Sequence, residues 1–342
     1  KLSVSKKNSN VNLEHYFNSL KDLSEVYLKF KKKLDNQRPK SLAVAVSGGP
    51  DSLALAALTK AYSYNKKLKV YFVLINHNIR KNSLKEARKV KLLLKKKKIF
   101  LHIVSNNLKI TNNIQSQARK IRYDLLSKFC KNNKVKTILT GHNLEDQVET
   151  FFIRLSRGSG LTGLSSMRPI SVLKGNIKLF RPLLDVEKKT LIKISKSFFG
   201  LFIQDPSNKN SRYLRTRIRN LKKPLSLSGI NYEQIKKSID NLASSRAALD
   251  KYYKSTINTL VQKSRNEVLI NLKKLKKCSD DLKLRVINES IKYLRKNYYN
   301  PRSIKVLNMV KRVESKAFKK STLGGCIFIK KKDTLCLKPE NI

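Results

Sequence analysis

Cysteine and long apolar runs are scarce in this chain of 342 residues. No apolar run is long enough to cross a bilayer, and the first residues lack the apolar stretch of a secretory signal, so we expect a cytoplasmic protein. The four cysteines form no Cys-x-x-Cys pair and have no histidine at metal-ligand spacing. This pattern argues against a zinc site and favours reduced thiols in the core.

Acidic residues are also few, with 23 Asp and Glu against 76 Lys and Arg. The formal net charge of +53 favours a polyanionic partner, and nucleic acid is the natural one. The alternative is that the charge reflects low-GC coding, which enriches lysine without any function. A length of 342 residues is typical of two domains.

A glycine-containing turn follows the first apolar run, residues 42–46, and precedes a second apolar run typical of a helix. The turn consists of Ser47, Gly48, Gly49, Pro50, Asp51 and Ser52. A strand that enters a helix through such a turn directs free backbone N–H groups and the positive end of the helix dipole at one point, where an anion binds. Pro50 suits the first turn of a helix, and Asp51 offers a carboxylate to a cation. An ordinary strand-turn-helix corner is the alternative interpretation.

The turn lacks the Gly-Lys-Ser/Thr ending of a Walker P-loop, which excludes the common ATPases. It resembles instead the loop of the PP-loop ATP pyrophosphatases, which cleave ATP between the α and β phosphates. That resemblance implies ATP and Mg²⁺ as cofactors, with residues 47–52 at the nucleotide.

Short apolar runs alternate with segments of helical period over the first half of the chain. After residues 42–46, strands are predicted over 70–75, 99–104 and 137–140. This alternation predicts an α/β fold with a parallel sheet, whose ligand site lies at the carboxyl ends of the strands. The turn, His77 and His142 would then emerge in one cleft.

The pattern changes towards the end of the chain, and we predict two domains. Residues 1–227 form the catalytic ATP-binding domain, with an N-terminal helix over 11–34 leading into it, and residues 228–342 form a smaller, mostly helical tRNA-binding domain. The linker is expected at 224–229. The second domain is predicted to contain helices over 232–260, 283–296 and 303–313 with no buried strand between them, and a terminal β-hairpin over 322–337.

A second segment with candidate catalytic side chains follows the fourth predicted strand. A helix that begins near Asn143 places Asp146 and Glu149 on one face, since they are three residues apart. Two carboxylates would then face the cleft. The alternative is a solvated acidic turn, because acids stabilise a helix N-terminus whatever else they do. His142 becomes a candidate site residue only because Asp146 and Glu149 follow it closely in the sequence.

The order of several motifs resembles that of bacterial tRNA(Ile)-lysidine synthases. The motifs are Ser47–Ser52, Asn76–Arg80, Gln117–Tyr123, Gly141–Thr150, Arg157–Gly160, Arg181–Leu183, Asp205–Asn208, Arg215–Arg219 and Thr322–Cys326. One residue departs from the family pattern, because Asn76 stands where the family usually has Asp. The amide can accept a hydrogen bond but carries no charge.

The resemblance implies a two-step ligation. ATP adenylates O2 of the wobble cytosine in the CAU-anticodon isoleucine tRNA and releases pyrophosphate, and free lysine then attacks C2 and expels AMP. It implies catalytic roles for Asp51, His142, Asp146, Glu149 and Arg215, and a metal on Asp51 and Asp146. A carboxylate must receive the lysine ammonium and take its proton.

Three further points stay open from the sequence. Either Asp146 or Glu149 could be the base. Either Arg215 or Arg217 could hold the substrate carboxylate or a phosphate through a bidentate fork. Another PP-loop tRNA-modifying enzyme or a non-catalytic RNA-binding protein is the alternative function, although a cluster-dependent thiolation enzyme would need the missing Cys-x-x-Cys.

Overall fold

The computed structural model of the protein describes residue 17 and residues 21–64, 66, 68–79, 82–107, 114–203, 214–295, 301–315 and 317–340. The chain divides into two compact units, Lys1–Ala243 and Ser244–Ile342. The predicted linker at 224–229 lies within the first unit, and the division itself falls inside a helix. The domain boundary at 227/228 therefore stays a prediction.

The first unit alternates strands and helices, as the sequence predicts. Its described elements are α1 (Lys21–Gln37), β1 (Ser41–Val46), α2 (Pro50–Ser63), β2 (Lys69–Asn76), α3 (Ser83–Lys95), β3 (Leu101–Ser105), α4 (Ile114–Asn132), β4 (Thr137–Leu139), α5 (Leu144–Leu155), α6 (Leu161–Leu164), β5 (Ile170–Leu173), β6 (Ile177–Phe180), α7 (Lys188–Phe199), α8 (Leu214–Asn220), α9 (Lys222–Leu227) and the start of α10 (Tyr232–Leu260). Helix α1 covers residues 21–34 of the predicted 11–34, and residues 11–16 and 18–20 lie outside the described residues.

The strands form one sheet of order β3-β2-β1-β4-β6-β5, parallel except for β5. Both faces of β1 are covered, because alternate side chains of a strand point to opposite faces. Leu42 and Val44 pack in the cluster with α2 and α7, whereas Ala43 packs in the other with α4. The parallel α/β prediction is confirmed, and the four predicted strands are found within two residues at either end. Strands β5 and β6 were not predicted.

The second unit combines helices with a small antiparallel sheet. Besides the end of α10, its described elements are β7 (Val261–Lys263), β8 (Val268–Asn271), α11 (Leu272–Lys276), α12 (Asp280–Leu294), α13 (Ser303–Glu314), β9 (Lys320–Leu323), β10 (Cys326–Lys331) and β11 (Thr334–Pro339). The sheet order is β7-β8-β11-β10-β9. The predicted helices and terminal hairpin are confirmed. The prediction of no buried strand between the helices is wrong, because β8 pairs with β11 and buries Val268 and Ile270.

Short strands explain that error. β7 and β8 contain only 3 and 4 residues, too few for an alternating pattern to stand out beside a 29-residue helix. Within the parts of the chain that the structure describes, no helix is both long and apolar enough to cross a membrane.

Candidate active site

The turn between β1 and α2 has the geometry of an anion-binding loop. Ser52 fixes it, because its Oγ accepts a hydrogen bond from the Ser47 N–H at 3.0 Å and donates one to the Gly49 carbonyl oxygen at 3.0 Å. Gly49 is the N-cap and Pro50 begins the helix. The first N–H groups of α2 have no intrahelical acceptors, so they are available to an anion at this helix end.

Gly48 is required by both backbone conformation and space. Its φ of +88° lies in the left-handed region, and a Cβ here would lie 2.6 Å from Cγ2 of Val90 on α3. Any side chain would therefore push the loop away from the helix that supports it.

Gly141 brings the end of β4 against the same loop. A Cβ at Gly141 would lie 2.8 Å from the carbonyl oxygen of Asp51, and backbone cannot swing aside as a side chain can. The contact joins the loop to the neighbouring strand. It is the physical reason for the glycine that the sequence shows after β4.

We expect Gly141→Ala to weaken ATP binding by roughly tenfold or more, because the added methyl group displaces the Asp51 backbone, and to cost about 1–3 kcal/mol of stability. Isothermal titration with ATP and urea unfolding would measure both. Gly160→Ala is the matched control, since nothing lies within 4 Å of a Cβ there and both values should stay as in the unmodified chain. Unchanged ATP affinity in Gly141→Ala would show that the contact does not shape the loop.

Asp51 carries an unusual carboxylate. Its Oδ1 is buried and has no hydrogen-bond partner among the described residues. Burial raises the pKa of Asp51 to about 6, Asp146 and Glu145 add to the rise, and Lys188 opposes it. A buried carboxylate oxygen without a donor is suited to a cation.

The start of α5 holds the second carboxylate. Asn143 is the N-cap: its Oδ1 accepts from the Asp146 N–H at 2.9 Å, and Asp146 Oδ2 accepts from the Asn143 N–H at 3.2 Å. This capping box fixes the Asp146 side chain. Burial raises the pKa of Asp146, with Glu149 adding to the rise and Arg215 opposing it.

Glu149 lies one turn further along α5 and is held by two arginines of α8. Its Oε2 accepts from Nε of Arg215 at 2.7 Å, and its Oε1 accepts from Nε of Arg219 at 2.7 Å. Arg215 also donates from Nη2 to Asp146 Oδ1 at 3.2 Å. The Glu149 side chain is only 1 % exposed. Arg215 thus bridges the two acids that the sequence paired, and both oxygens of Glu149 are already engaged.

A fourth carboxylate, Glu145, is buried on the same helix as Asp146 and Glu149. It accepts from the Lys188 backbone N–H at 2.8 Å and from Lys222 Nζ at 2.8 Å. These bonds attach the N-terminus of α7 and the start of α9 to α5. Glu145 also contributes to the raised pKa of Asp51.

His142 is neutral across the physiological range. Burial lowers its pKa to about 2, and four arginines add to the effect. The arginines are Arg181, Arg119, Arg122 and Arg215. Its Nδ1 lies 2.9 Å from Thr140 Oγ1. The ring can hydrogen-bond a ligand, but in this state it is not an acid.

Asn76 ends β2 and stabilises the following turn. Its Nδ2 donates to Oδ1 of Asn78 at 2.7 Å, and its Oδ1 accepts from the Asn78 N–H at 3.2 Å. Asn78 Nδ2 donates in turn to the Asn106 carbonyl oxygen at 2.8 Å. An Asp at 76 would put a carboxylate against Asn78 Oδ1. Asn76, which stands where the family usually has Asp, therefore supplies an Nδ2 donor that stabilises this turn.

The structure places all the predicted site residues at the carboxyl edge of the sheet, in one connected group. Of the two candidate arginines, Arg215 contacts both acids, whereas Arg217 is exposed. Sequence reasoning missed Glu145 and Arg219. Arg219 could have been found, since it lies four residues after Arg215 on the same helix face. The Asp205–Asn208 motif and Arg80 lie outside the described residues.

Comparison with known proteins agrees with this geometry. A family profile described as PP-loop domain matches residues 23–225. A tRNA(Ile)-lysidine synthase from Wolbachia pipientis wMel is 36% identical over 291 residues, which cover 83% of this chain and 67% of that protein. The chain belongs to the tRNA(Ile)-lysidine synthase family. Another member, from Orientia tsutsugamushi (strain Boryong), is 41% identical over 59% of this chain and 46% of its own length.

Members of the tRNA(Ile)-lysidine synthase family are ATP-dependent ligases, and the PP-loop domain implies ATP as the nucleotide. The chain spans about two thirds of the length of the Wolbachia relative and less than half of the Orientia one. Among solved structures, the U34-tRNA thiolase NcsA from Methanococcus maripaludis, with its [4Fe-4S] cluster, has a TM-score of 0.55 at 20% identity over 64% of this chain and 77% of that one. At this identity the likeness concerns the fold.

Proposed function

We propose that this chain ligates free L-lysine to C2 of the wobble cytidine, position 34, in the CAU-anticodon isoleucine tRNA. ATP adenylates O2 of the base with release of pyrophosphate, and the lysine amine then displaces AMP. The observation that carries the proposal is the group at the sheet edge. There the anion-binding loop, the buried Asp51 carboxylate and the Asp146–Arg215–Glu149 network stand together.

The first step needs charge to be neutralised at the departing pyrophosphate. The N–H groups at the start of α2 would hold its oxygens, as helix N-termini hold phosphates. Asp51 and Asp146 would hold Mg²⁺, which when bound supplies positive charge between the phosphates. The described residues contain no group of three His, Cys, Asp or Glu that could hold a metal alone. Such a sparse set fits Mg²⁺, which takes one or two protein carboxylates and completes its shell with phosphates and water.

The second step needs lysine as a neutral amine. We assign Asp146 to receive the ammonium and take its proton, because 22 % of its side chain is exposed and its raised pKa makes it a better base than an ordinary Asp. Glu149 is assigned a positioning role, since two arginines hold its oxygens and only 1 % of its side chain is exposed, against 22 % for Asp146. Arg215, fixed by both acids, would hold the substrate carboxylate or a phosphate.

His142 would act as a hydrogen-bonding group. With a pKa lowered to about 2, mainly by burial, it stays neutral and can donate or accept one bond to the nucleotide or the base. Thr140 fixes the ring orientation through Nδ1.

The second unit supplies a surface suited to tRNA phosphates. Lys273 is exposed on α11 beside the β10–β11 turn, where its Nζ lies 2.8 Å from Asp333. Other exposed lysines of the same helix end and turn are Lys274, Lys276, Lys277 and Lys332. Replacing Lys274, Lys276 and Lys277 with Gln should reduce the slope of log affinity for tRNA against log salt by about 0.7 to 0.9 for each phosphate that is no longer neutralised. An unchanged slope would mean that these lysines are only solvated surface.

The decisive experiment is mass spectrometry of nucleosides from an isoleucine tRNA transcript incubated with the protein, ATP and lysine. We expect cytidine at the wobble position to gain the mass of lysine less water. Pyrophosphate release with and without tRNA separates the alternatives. Release without lysidine indicates another PP-loop enzyme, and tRNA binding without release indicates a non-catalytic RNA-binding protein.

A further inference from the structure

Gln147 is a buried polar residue of α5 that has no role in the steps above, and it is 4% exposed. Both polar atoms of its side chain bind one residue. Nε2 donates to the Met167 carbonyl oxygen at 3.0 Å, and Oε1 accepts from the Met167 N–H at 2.8 Å. A side-chain amide can form this pair of bonds because it carries a donor and an acceptor side by side. Gln147 therefore fixes the backbone at Met167 in both position and direction.

The segment that Gln147 holds is residues 165–169, which connect α6 to β5 and which we call the α6–β5 turn. Ser166 adopts a φ of +51° there, in the left-handed region that favours glycine. Its Oγ donates to the Gln147 carbonyl oxygen at 3.2 Å, and its carbonyl oxygen accepts from Nη1 of Arg154 at 2.9 Å. A residue other than glycine keeps such a conformation only where its surroundings impose it. Helix α5 thus determines the shape of the turn.

The other end of the same turn holds Arg181, the residue after β6. The Arg168 carbonyl oxygen accepts from Nη1 of Arg181 at 2.7 Å, and the Pro169 carbonyl oxygen accepts from the Arg181 backbone N–H at 2.8 Å. Ser171 Oγ, on β5, also accepts from Nη1 at 3.1 Å. These acceptors are neutral oxygens of the turn and of the strand that follows it. The turn therefore sets the direction of the Arg181 guanidinium.

Arg181 lies beside His142 at the carboxyl edge of the sheet. The Thr140 N–H donates to the Phe180 carbonyl oxygen at 3.0 Å, so residue 181 runs next to residues 140–142. Burial lowers the pKa of His142, and Arg181 is the charged group that adds most to this effect. His142 is also the ring to which we assign a hydrogen bond with the nucleotide or the base. A displaced Arg181 guanidinium would change the surroundings of that ring.

We propose that Gln147 is a positioning residue, which acts through the α6–β5 turn to hold the Arg181 guanidinium beside His142. The inference rests on the proposed function for the reaction that these two groups serve. Gln147 needs no contact with a substrate, because the path runs from its amide to Met167 and from the neighbouring Arg168 to Arg181. The alternative is that Gln147 only stabilises the loop. Both interpretations imply a less stable variant, so the test needs other measurements.

The first measurement is spectroscopic and needs no activity. In the full chain, Gln147→Met removes both bonds to Met167 while keeping an unbranched side chain of similar length. The His142 ring signals in a ¹H–¹⁵N spectrum, assigned with His142→Gln, should shift in Gln147→Met, and those of His102 should not. Gln262→Met is the matched control, since Gln262 is exposed on β7, and it should move neither set of signals. An unmoved His142 ring in Gln147→Met would overturn the inference.

The second measurement is a double-mutant cycle with Arg181→Gln, followed through tRNA-dependent pyrophosphate release. Gln147→Met should lower kcat by roughly tenfold, because small displacements of a positioned group have effects of this size, and the KM for lysine should stay within twofold. In the Arg181→Gln background the same change should alter kcat by less than twofold, since the group through which Gln147 acts is already absent. Equal losses in both backgrounds, or a raised lysine KM at unchanged kcat, would contradict the proposal.

Arg154→Met provides a second probe of the same turn if Gln147→Met does not fold. Arg154 lies seven residues after Gln147 on the same face of α5, and its replacement releases the Ser166 carbonyl oxygen. We expect the same shift of the His142 ring and the same lack of additivity with Arg181→Gln. Their absence in this variant would overturn the inference as well.

The two measurements also separate this inference from the proposed function. If the His142 ring shifts in Gln147→Met but the unmodified chain forms no lysidine, the proposed function is refuted and the positioning role stands. If the unmodified chain forms lysidine but the His142 ring does not move in Gln147→Met, the positioning role is refuted and the function stands.

Discussion

Replacing Asp51 with Asn should lower tRNA-dependent pyrophosphate release by roughly a hundredfold or more, judged from other preorganised charged groups. The amide keeps the shape of the side chain and leaves the Gly48–Gly49 turn intact. What it removes is the buried negative charge that would hold a cation beside the phosphates. Asp124→Asn is the control, because it deletes an exposed carboxylate of α4 and should leave release unchanged.

The same variant should make the ligand-free fold more stable at pH 7.5, by about 2 kcal/mol. Asp51 has a folded pKa raised by burial to about 6, above its ordinary value of 3.8. Its contribution to stability is therefore present below pH 3.8 and is lost as the pH rises through 6, when the buried carboxylate must ionise. Urea unfolding without Mg²⁺ should show the gain at pH 7.5 and little of it at pH 4. Near wild-type pyrophosphate release together with equal stability at both pH values would remove Asp51 from the mechanism.

Asp146→Asn should reduce lysidine formation by roughly 10²–10⁴, the range expected for a lost acid–base group. The amide oxygen can still accept from the Asn143 N–H, so α5 keeps its cap and the melting temperature should change little. If Asp146 also holds Mg²⁺, the Mg²⁺ concentration needed for half-maximal pyrophosphate release should rise. Quenched-flow measurement of pyrophosphate and AMP separates the two steps.

Glu149→Gln provides the matched comparison one turn along the helix. It removes the charge that Arg215 and Arg219 share, so we expect a loss of about 2 kcal/mol in stability as well as lost activity. A positioning residue should show both effects together. Full turnover in Asp146→Asn, with normal circular dichroism, would return Asp146 to a purely capping role.

The features that could be predicted best from the sequence are those that depend only on neighbouring residues. The turn at 47–52 and the N-cap at Asn143 follow from residue types within six positions, and both are found in the structure. Four strands were predictable because each is an apolar run that lies between segments with helical periodicity. β5 and β6 were missed because each has only 4 residues and each contains a polar one, Ser171 in β5 and Lys178 in β6.

Contacts between distant segments could not be predicted from the sequence. Glu145 binds Lys222 from 77 positions away, and Arg219 binds Glu149 from 70. Nothing in their local sequences marks them as partners. The pairing arises because α8 and α9 pack beside α5, which only the tertiary fold decides.

Strand order also determines when the site can form during folding. β1 pairs with β4 through Ala43 with Ile138 and Val44 with Leu139, residues about 95 positions apart. Closing a loop of that length lowers the chain entropy before the contacts that stabilise the pairing have formed. Parallel pairings between such distant strands therefore form slowly. The contact of Gly141 with the Asp51 backbone depends on that pairing. During synthesis the nucleotide loop is therefore complete in sequence long before it is supported, and nucleotide binding should appear only after β4 has left the ribosome and docked.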